Sequence, residues 1–204
     1  MGKMKNLLLI TLLVLSSFSI SAKQILLGPN SNSQEEIQEA LIDLEPGDVL
    51  TLEPGEYFFE DGISLDVDDV IFEGSGIDDT ILHFGDQVSG AQGLLVTSDG
   101  VTLRDFAVLD AKGDAIKVIG ADGISMIRLR TEWTGGPKET NGAYGFYPVE
   151  SKDVLIDGCV AIGASDAGIY VGQSQNIIVK NSIAQYNVAG IEIENSYYAD
   201  VFDN

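Results

Sequence analysis

A parallel β-solenoid that coils about every 22 residues is the fold class this 204-residue sequence predicts, and three observations predict it. The first is repetition. Gly145-Phe146-Tyr147-Pro148-Val149, Gly168-Ile169-Tyr170-Val171 and Gly190-Ile191-Glu192-Ile193 open successive units, their glycines 23 and 22 residues apart. Nine residues after each glycine comes a second short run: Val154-Leu155-Ile156, Ile177-Ile178-Val179 and Ala199-Asp200-Val201. Self-similarity at this period marks a solenoid whose repeats stack on one another. The second observation is alternation. Ile169 and Val171 flank Tyr170, and Ile191 and Ile193 flank Glu192; a period of two in Val- and Ile-rich runs is the mark of a strand. The third is turn chemistry. Four residues after the start of each second run stand Gly74, Asp105, Arg128, Gly158, Asn181 and Asp203. Five of these six are Gly, Asn or Asp, the types that tolerate a left-handed backbone.

The elements follow in order. Residues 1–22 read as a secretory signal: Lys3 and Lys5 precede the apolar run Leu7 to Leu15, and Ser16 to Ala22 offers small residues for cleavage. The run is too short for a stable span, so the mature chain is expected to be secreted or periplasmic and free of the membrane. Residues 23–61 form an expected N-terminal cap. Its helix, 33–44, starts at a capping box of Ser33 and Glu36 and carries the apolar stripe Ile37, Ala40, Leu41 and Leu44. Pro46-Gly47-Asp48 stops it, and Val49–Leu52 and Tyr57–Phe59 follow as strands. Such a helix covers the core and strand edge that a first coil exposes.

Residues 62–204 are the coils, six units in all. The first is long, with its excess between Ser75 and Gln92 around His83, the only histidine. Another insertion lies between Thr131 and Tyr144 and carries the only tryptophan, Trp133. Loops on a rigid solenoid are where function tends to sit. Asn204 falls within the bend of the sixth unit, with no capping repeat after it, so a longer protein is expected.

Residues 34–204, and above all Ser165-Asp166-Ala167-Gly168-Ile169-Tyr170-Val171-Gly172-Gln173-Ser174 followed by Asn176-Ile177-Ile178-Val179-Lys180-Asn181, resemble the right-handed parallel β-helix proteins. That superfamily includes pectate lyases, polygalacturonases and alginate epimerases, and the chain looks most like the bacterial parallel β-helix repeat proteins. The resemblance implies an all-β, right-handed parallel β-helix with a short N-terminal capping helix, and a carbohydrate partner. It does not imply a reaction, because one fold hosts many chemistries. The Asp-Pro-His-Asp string of the epimerases is absent. So is the Gly-His-Gly of the polygalacturonases, since His83 lies between Leu82 and Phe84.

Composition narrows the partners. The formal charge is −21, and without Lys3 and Lys5 the chain has 9 basic against 32 acidic residues. Such a surface disfavours nucleic acid and anionic membranes. The single cysteine, Cys159, excludes an intramolecular disulfide and reads as a buried thiol.

Alternate residues of a strand point outwards, so the first strand of each unit builds an outward column: Ser64, Leu95, Lys117, Tyr147, Tyr170, Glu192. Tyrosine combines an apolar face with a polar tip and suits stacking on sugars. Tyr147, Tyr170, Tyr144 and Trp133 are the expected substrate-binding residues, along a groove on this sheet face. Lys117, Asp166 and Glu192 are the catalytic candidates for a lyase- or epimerase-like step, with the lysine as base. Asp166, Glu192 and Glu194 offer the carboxylate oxygens that Ca²⁺ takes, and no other cofactor is indicated. A polysaccharide-active enzyme, a glycan-binding module and an extracellular scaffold all remain open readings. A column of aromatic and charged residues also stabilises a sheet with no ligand at all.

Overall fold

In a computed structural model, residues 22–30 and 32–204 are described. The expected signal at residues 1–22 therefore lies outside the described residues, apart from Ala22. Strand β1 (Gln24–Leu27) precedes helix α1 (Ser33–Ile42). Three strands per coil then repeat: β2 (Val49–Leu52), β3 (Gly55–Phe58) and β4 (Ile63–Leu65); β5 (Ile71–Glu73), β6 (Thr80–His83) and β7 (Gln92–Val96). Next come β8 (Thr102–Arg104), β9 (Ala107–Leu109) and β10 (Asp114–Ile119), then β11 (Asp122–Ile127), β12 (Arg130–Glu132) and β13 (Phe146–Val149). The last are β14 (Lys152–Asp157), β15 (Val160–Ile162), β16 (Ala167–Gly172), β17 (Gln175–Lys180), β18 (Ile183–Gln185), β19 (Ala189–Glu194) and β20 (Tyr197–Phe202).

Every strand pairs in parallel with its counterpart one coil away. The result is three sheets: an eight-stranded one from β1 to β20, a six-stranded one from β3 to β18, and a six-stranded one from β4 to β19, here the tyrosine sheet. The registers show where the coils lengthen. Val49 pairs with Ile71, Thr102 with Ser125, and Leu155 with Ile178, steps of 22 or 23 residues. Ile71 pairs with Thr102 and Ser125 with Leu155, so these two coils hold the insertions. Ile71 pairs with Thr102, Ile81 with Ala107 and Gln92 with Asp114, so the first insertion is split between the β5–β6 and β6–β7 connections. Arg130 pairs with Val160 and Phe146 with Ile169, so the second lies between β12 and β13, at the entry to the tyrosine sheet.

Parallel pairing without slip stacks like on like in the interior. Ile63, Leu94, Ile116, Phe146, Ile169 and Ile191 form one inward ladder, and Leu50, Phe72, Leu103, Met126, Ile156 and Val179 another. All but Ile191 are buried. Fully burying one such side chain is worth about 1.5–3 kcal/mol, so the ladders hold the coils together.

Three local expectations change. The helix ends at Ile42, two residues short of 44. Its start uses a different cap: the Ser33 hydroxyl accepts the Asn30 amide at 2.7 Å, and the Glu36 carboxylate accepts the Asn30 side-chain amide at 2.8 Å. Asn30, upstream of the helix, thus replaces the reciprocal Ser33–Glu36 pair. The solenoid also begins earlier than residue 62, because β2 and β3 already share the registers of later coils. What the helix covers is the edge of β4. The Gln38 side chain accepts the Ser64 amide at 2.8 Å and donates to its carbonyl at 3.1 Å, and Gln34 accepts the Glu60 amide at 2.6 Å. Two glutamines thus stand in for a missing strand.

The bends carry another correction. Asp105, Arg128, Gly158, Asn181 and Asp203 all adopt positive φ, from 48° to 66°. The exception is Gly74, not Arg128. A Cβ at Gly74 would lie 2.4 Å from the Asp105 carbonyl oxygen, so close approach of the next coil accounts for that glycine. Arg128 is held in its left-handed bend while its guanidinium bonds both Asp105 oxygens, at 2.6 and 2.7 Å.

Candidate functional site

The registers bring the outward column together. Ser64 pairs with Leu95, Leu95 with Lys117, Lys117 with Tyr147, and Tyr170 with Glu192, while Phe146 opposite Ile169 puts Tyr147 beside Tyr170. Neighbours along such a column are about 4.8 Å apart. Tyr144 joins from the loop before β13. Its ring centroid lies 4.6 Å from that of Tyr147 and 4.7 Å from that of Tyr170, and the Tyr147 and Tyr170 rings meet edge to face at 5.2 Å. The three half-buried rings form a mutually packed patch, in which each ring partly occupies a face of the next.

Charged groups surround the patch. The Lys117 ammonium sits 4.6 Å from the centre of the Tyr147 ring and 3.9 Å from the Asp114 carboxylate. The Tyr170 hydroxyl donates to Glu194 at 2.5 Å, and the Asp166 carboxylate lies close enough to the Tyr144 hydroxyl to raise its pKa. These surroundings shift protons in one direction. Burial pushes the Tyr144 phenol up to about 12, with the Asp166 charge and hydrogen bond adding to it. Burial also raises Tyr147, helped by the charges of Asp114, Glu150 and Glu194. Tyr170 is raised chiefly by its hydrogen bond to Glu194 and then by burial. Asp114 is raised by burial, against the opposing pull of Lys117 and of the Tyr144 amide. All three phenols are therefore hydrogen-bond donors at neutral pH.

A glycine sets the posture of Tyr170. Gly172 stands two residues on, on the same face, and a Cβ there would lie 2.6 Å from Tyr170 Cε1 and 3.1 Å from its hydroxyl. The ring lies down along the sheet over Gly172, which aims its hydroxyl at Glu194, the register partner of Gly172. The sequence carries a signal for this: residues i and i+2 share a strand face, so Gly172 in Tyr170-Val171-Gly172 marks open space beside the ring.

Trp133 does not belong to the patch. Its side chain is buried in the core, and its indole nitrogen donates to the Ala111 carbonyl at 2.7 Å. It presents no free face to a sugar, and its expected binding role is replaced by an anchoring one at the base of the loop. Asp166 and Glu194 each serve a tyrosine, and Glu192 stands exposed beside Tyr170. Among the described residues no three His, Cys, Asp or Glu side chains converge as metal ligands. No helix among the described residues is long and apolar enough to cross a membrane.

Residues 59–204 match the right-handed β-helix region family, and the chain belongs to that family. No curated protein matches it. Among solved structures it is similar to a PL6 family alginate lyase, AlyGC, with a TM-score of 0.56 and 15% identity, covering 87% of this chain and 29% of that one. It is also similar to a mannuronic acid specific polysaccharide family 6 lyase enzyme from human gut microbiota. There the TM-score is 0.51 and the identity 14%, covering 89% of this chain and 52% of that one. Likeness at these identities concerns the fold, and the chain spans about half or less of each lyase.

Proposed function

We propose that this is an exported β-helix protein that binds an extracellular polysaccharide across the tyrosine sheet. The observation that supports this most directly is the cluster of Tyr144, Tyr147 and Tyr170, whose hydroxyls are kept protonated and whose rim alternates carboxylates with one ammonium. Apolar ring edges beside fixed donors and acceptors match the alternating C–H and O–H surfaces of a sugar. The resemblance in fold to two lyases of acidic polysaccharides points the same way.

A second reading, proton abstraction from a uronate as in a lyase or epimerase, is favoured by one feature. Among the described residues on the strands of this sheet Lys117 is the one amine, and it adjoins both the Tyr147 ring and Asp114. Asp166 and Glu192 then flank the substrate. Ca²⁺ enters only if the substrate supplies oxygens alongside Asp166, Glu192 or Glu194.

The test is retention and turnover on pectin, alginate and related uronates, with and without Ca²⁺. Tyr147→Ala/Tyr170→Ala is expected to lose retention at least tenfold. This follows if each aromatic contact contributes about 1 kcal/mol. Unchanged binding in that variant overturns the reading. New unsaturated chain ends that vanish in Lys117→Ala establish the catalytic version.

A further inference from the structure

A second depression lies where the tyrosine sheet meets the sheet of β12, on the inserted loop. Of the 11 basic residues, Lys3 and Lys5 fall outside the described residues, which leaves nine. Among these, Arg104, Lys117, Arg128, Arg130, Lys152 and Lys180 lie within ion-pair distance of a carboxylate. Lys23, Lys112 and Lys138 do not. Two of these three, Lys112 and Lys138, line the same depression of about 400 Å³, together with Asp110, Thr134, Thr140 and Asn141. In a chain with nearly three acidic residues for every basic one, two unneutralised ammonium groups at one place stand out from the general pattern.

The depression is held in shape by its surroundings. The Asp110 carboxylate, which also lines the depression, accepts the Thr134 amide at 2.8 Å on one oxygen and the Thr134 hydroxyl at 2.6 Å on the other. It is therefore engaged with the loop and paired with neither lysine. Trp133 pins the base of the loop to Ala111, and the Asn141 side chain donates to the carbonyls of Gly136 at 3.0 Å and Gly163 at 2.6 Å. The Lys112 amide is held by Gln87, whose side chain is buried. Lys138 folds back so that a Cβ at Gly135 would meet its ammonium at 2.7 Å. Lys138 also lines a neighbouring depression with Glu139, Ser165, Tyr186 and Asn187, so the two hollows share this side chain.

We infer that this depression binds the anionic substituent, carboxylate or sulfate, of a saccharide chain through Lys112 and Lys138. Thr134, Thr140 and Asn141 supply neutral hydrogen bonds, and Tyr186, exposed beside Lys138, offers a ring to the next sugar. The site does not depend on the tyrosine sheet. It gives an acidic protein a local means of holding an acidic polymer that its overall charge repels.

The test uses the full chain carrying Tyr147→Ala/Tyr170→Ala, which removes two of the three rings of the tyrosine patch. Binding of an oligouronate, a sulfated oligosaccharide and an uncharged oligosaccharide of equal length is measured by calorimetry at low and at high salt. The expected result is binding of at least one anionic oligomer and not of the uncharged one, and which anion binds identifies the source of the charge. Lys112→Gln/Lys138→Gln is expected to weaken it about fivefold at low salt, with the difference shrinking as salt screens the charges. Lys112→Arg/Lys138→Arg is expected to keep it. Both lysines are exposed, so the unfolding midpoint is expected to stay unchanged in both pairs. The inference is overturned if neither anionic oligomer binds, if the uncharged one binds equally, or if the glutamine pair binds like its parent.

Discussion

Replacing Gly172 by alanine tests whether the tyrosine patch is held in place by packing. The backbone permits the change, because Gly172 is not among the residues with positive φ. On backbone grounds alone, alanine in a strand interior is favoured over glycine by about 0.5–1 kcal/mol. The new methyl, however, would sit 2.6 Å from Tyr170 Cε1, where carbon atoms prefer about 3.5–4.0 Å. The ring must therefore move by about 1 Å or more. It cannot move without loosening its packing on Tyr144 and Tyr147, each pair worth about 0.5–1.5 kcal/mol, and its hydrogen bond to Glu194. An exposed bond of this kind contributes about 1 kcal/mol. Together these losses exceed the backbone gain, and a net destabilisation of about 1–2 kcal/mol is expected. Denaturant unfolding measures it, and near-ultraviolet circular dichroism reports the ring environment. Glycan retention should fall in parallel. A Gly172→Ala protein that is more stable than its parent, with an unchanged aromatic spectrum, would show that Tyr170 is free to swing away and that the patch is not preorganised.

Two further outcomes follow from buried groups. Trp133→Phe removes the donor to the Ala111 carbonyl inside the core. It should cost about 1–3 kcal/mol and expose the loop of residues 134–141 to proteolysis, read from the unfolding midpoint and cleavage pattern. The Cys159 thiol, fully buried, is pushed up to about 12 by burial. Thiol reagents at pH 8 should therefore leave it untouched until the protein unfolds, and reaction in the native state would contradict its burial. Because its folded value is raised, the stability it contributes is complete below the unfolded value near 9 and is lost as pH climbs towards 12. Cys159→Ala should flatten that alkaline loss.

The repeats were legible because a parallel solenoid maps sequence period directly onto space. Once glycine spacing and the alternation of Ile169-Tyr170-Val171 identify a strand, the residue 22 or 23 positions away is its neighbour. Lys117, Tyr147, Tyr170 and Glu192 could be aligned in this way. The insertions break the rule, because residues within them have no counterpart one period away. Trp133 begins a loop of unknown path, and nothing in its neighbours shows that its indole turns inwards to Ala111. Tyr144 could be placed near the patch only because it ends that loop. Ser174 is another hidden case. It is buried because its hydroxyl accepts the Ser151 amide at 3.0 Å while its own amide donates to Ser196 at 3.0 Å, a ladder running along the coil corner. Ser151, Ser174 and Ser196 recur at the coil period, but the repeat alone does not show which group each hydroxyl bonds.

The sequence by itself determined the architecture: the strand period, the inward ladders, the bends and the helix over the first coil, all consequences of local pattern repeated at one interval. Only the tertiary structure decided how the side chains use that architecture. It turned Trp133 inwards, packed three tyrosines against one another, spent Asp166 and Glu194 on their hydroxyls, and left Lys112 and Lys138 unpaired in one hollow. The physical reason is that the repeat sets which residues are neighbours, whereas rotamers, hydrogen-bond partners and the paths of the two insertions depend on contacts between coils that no single repeat encodes.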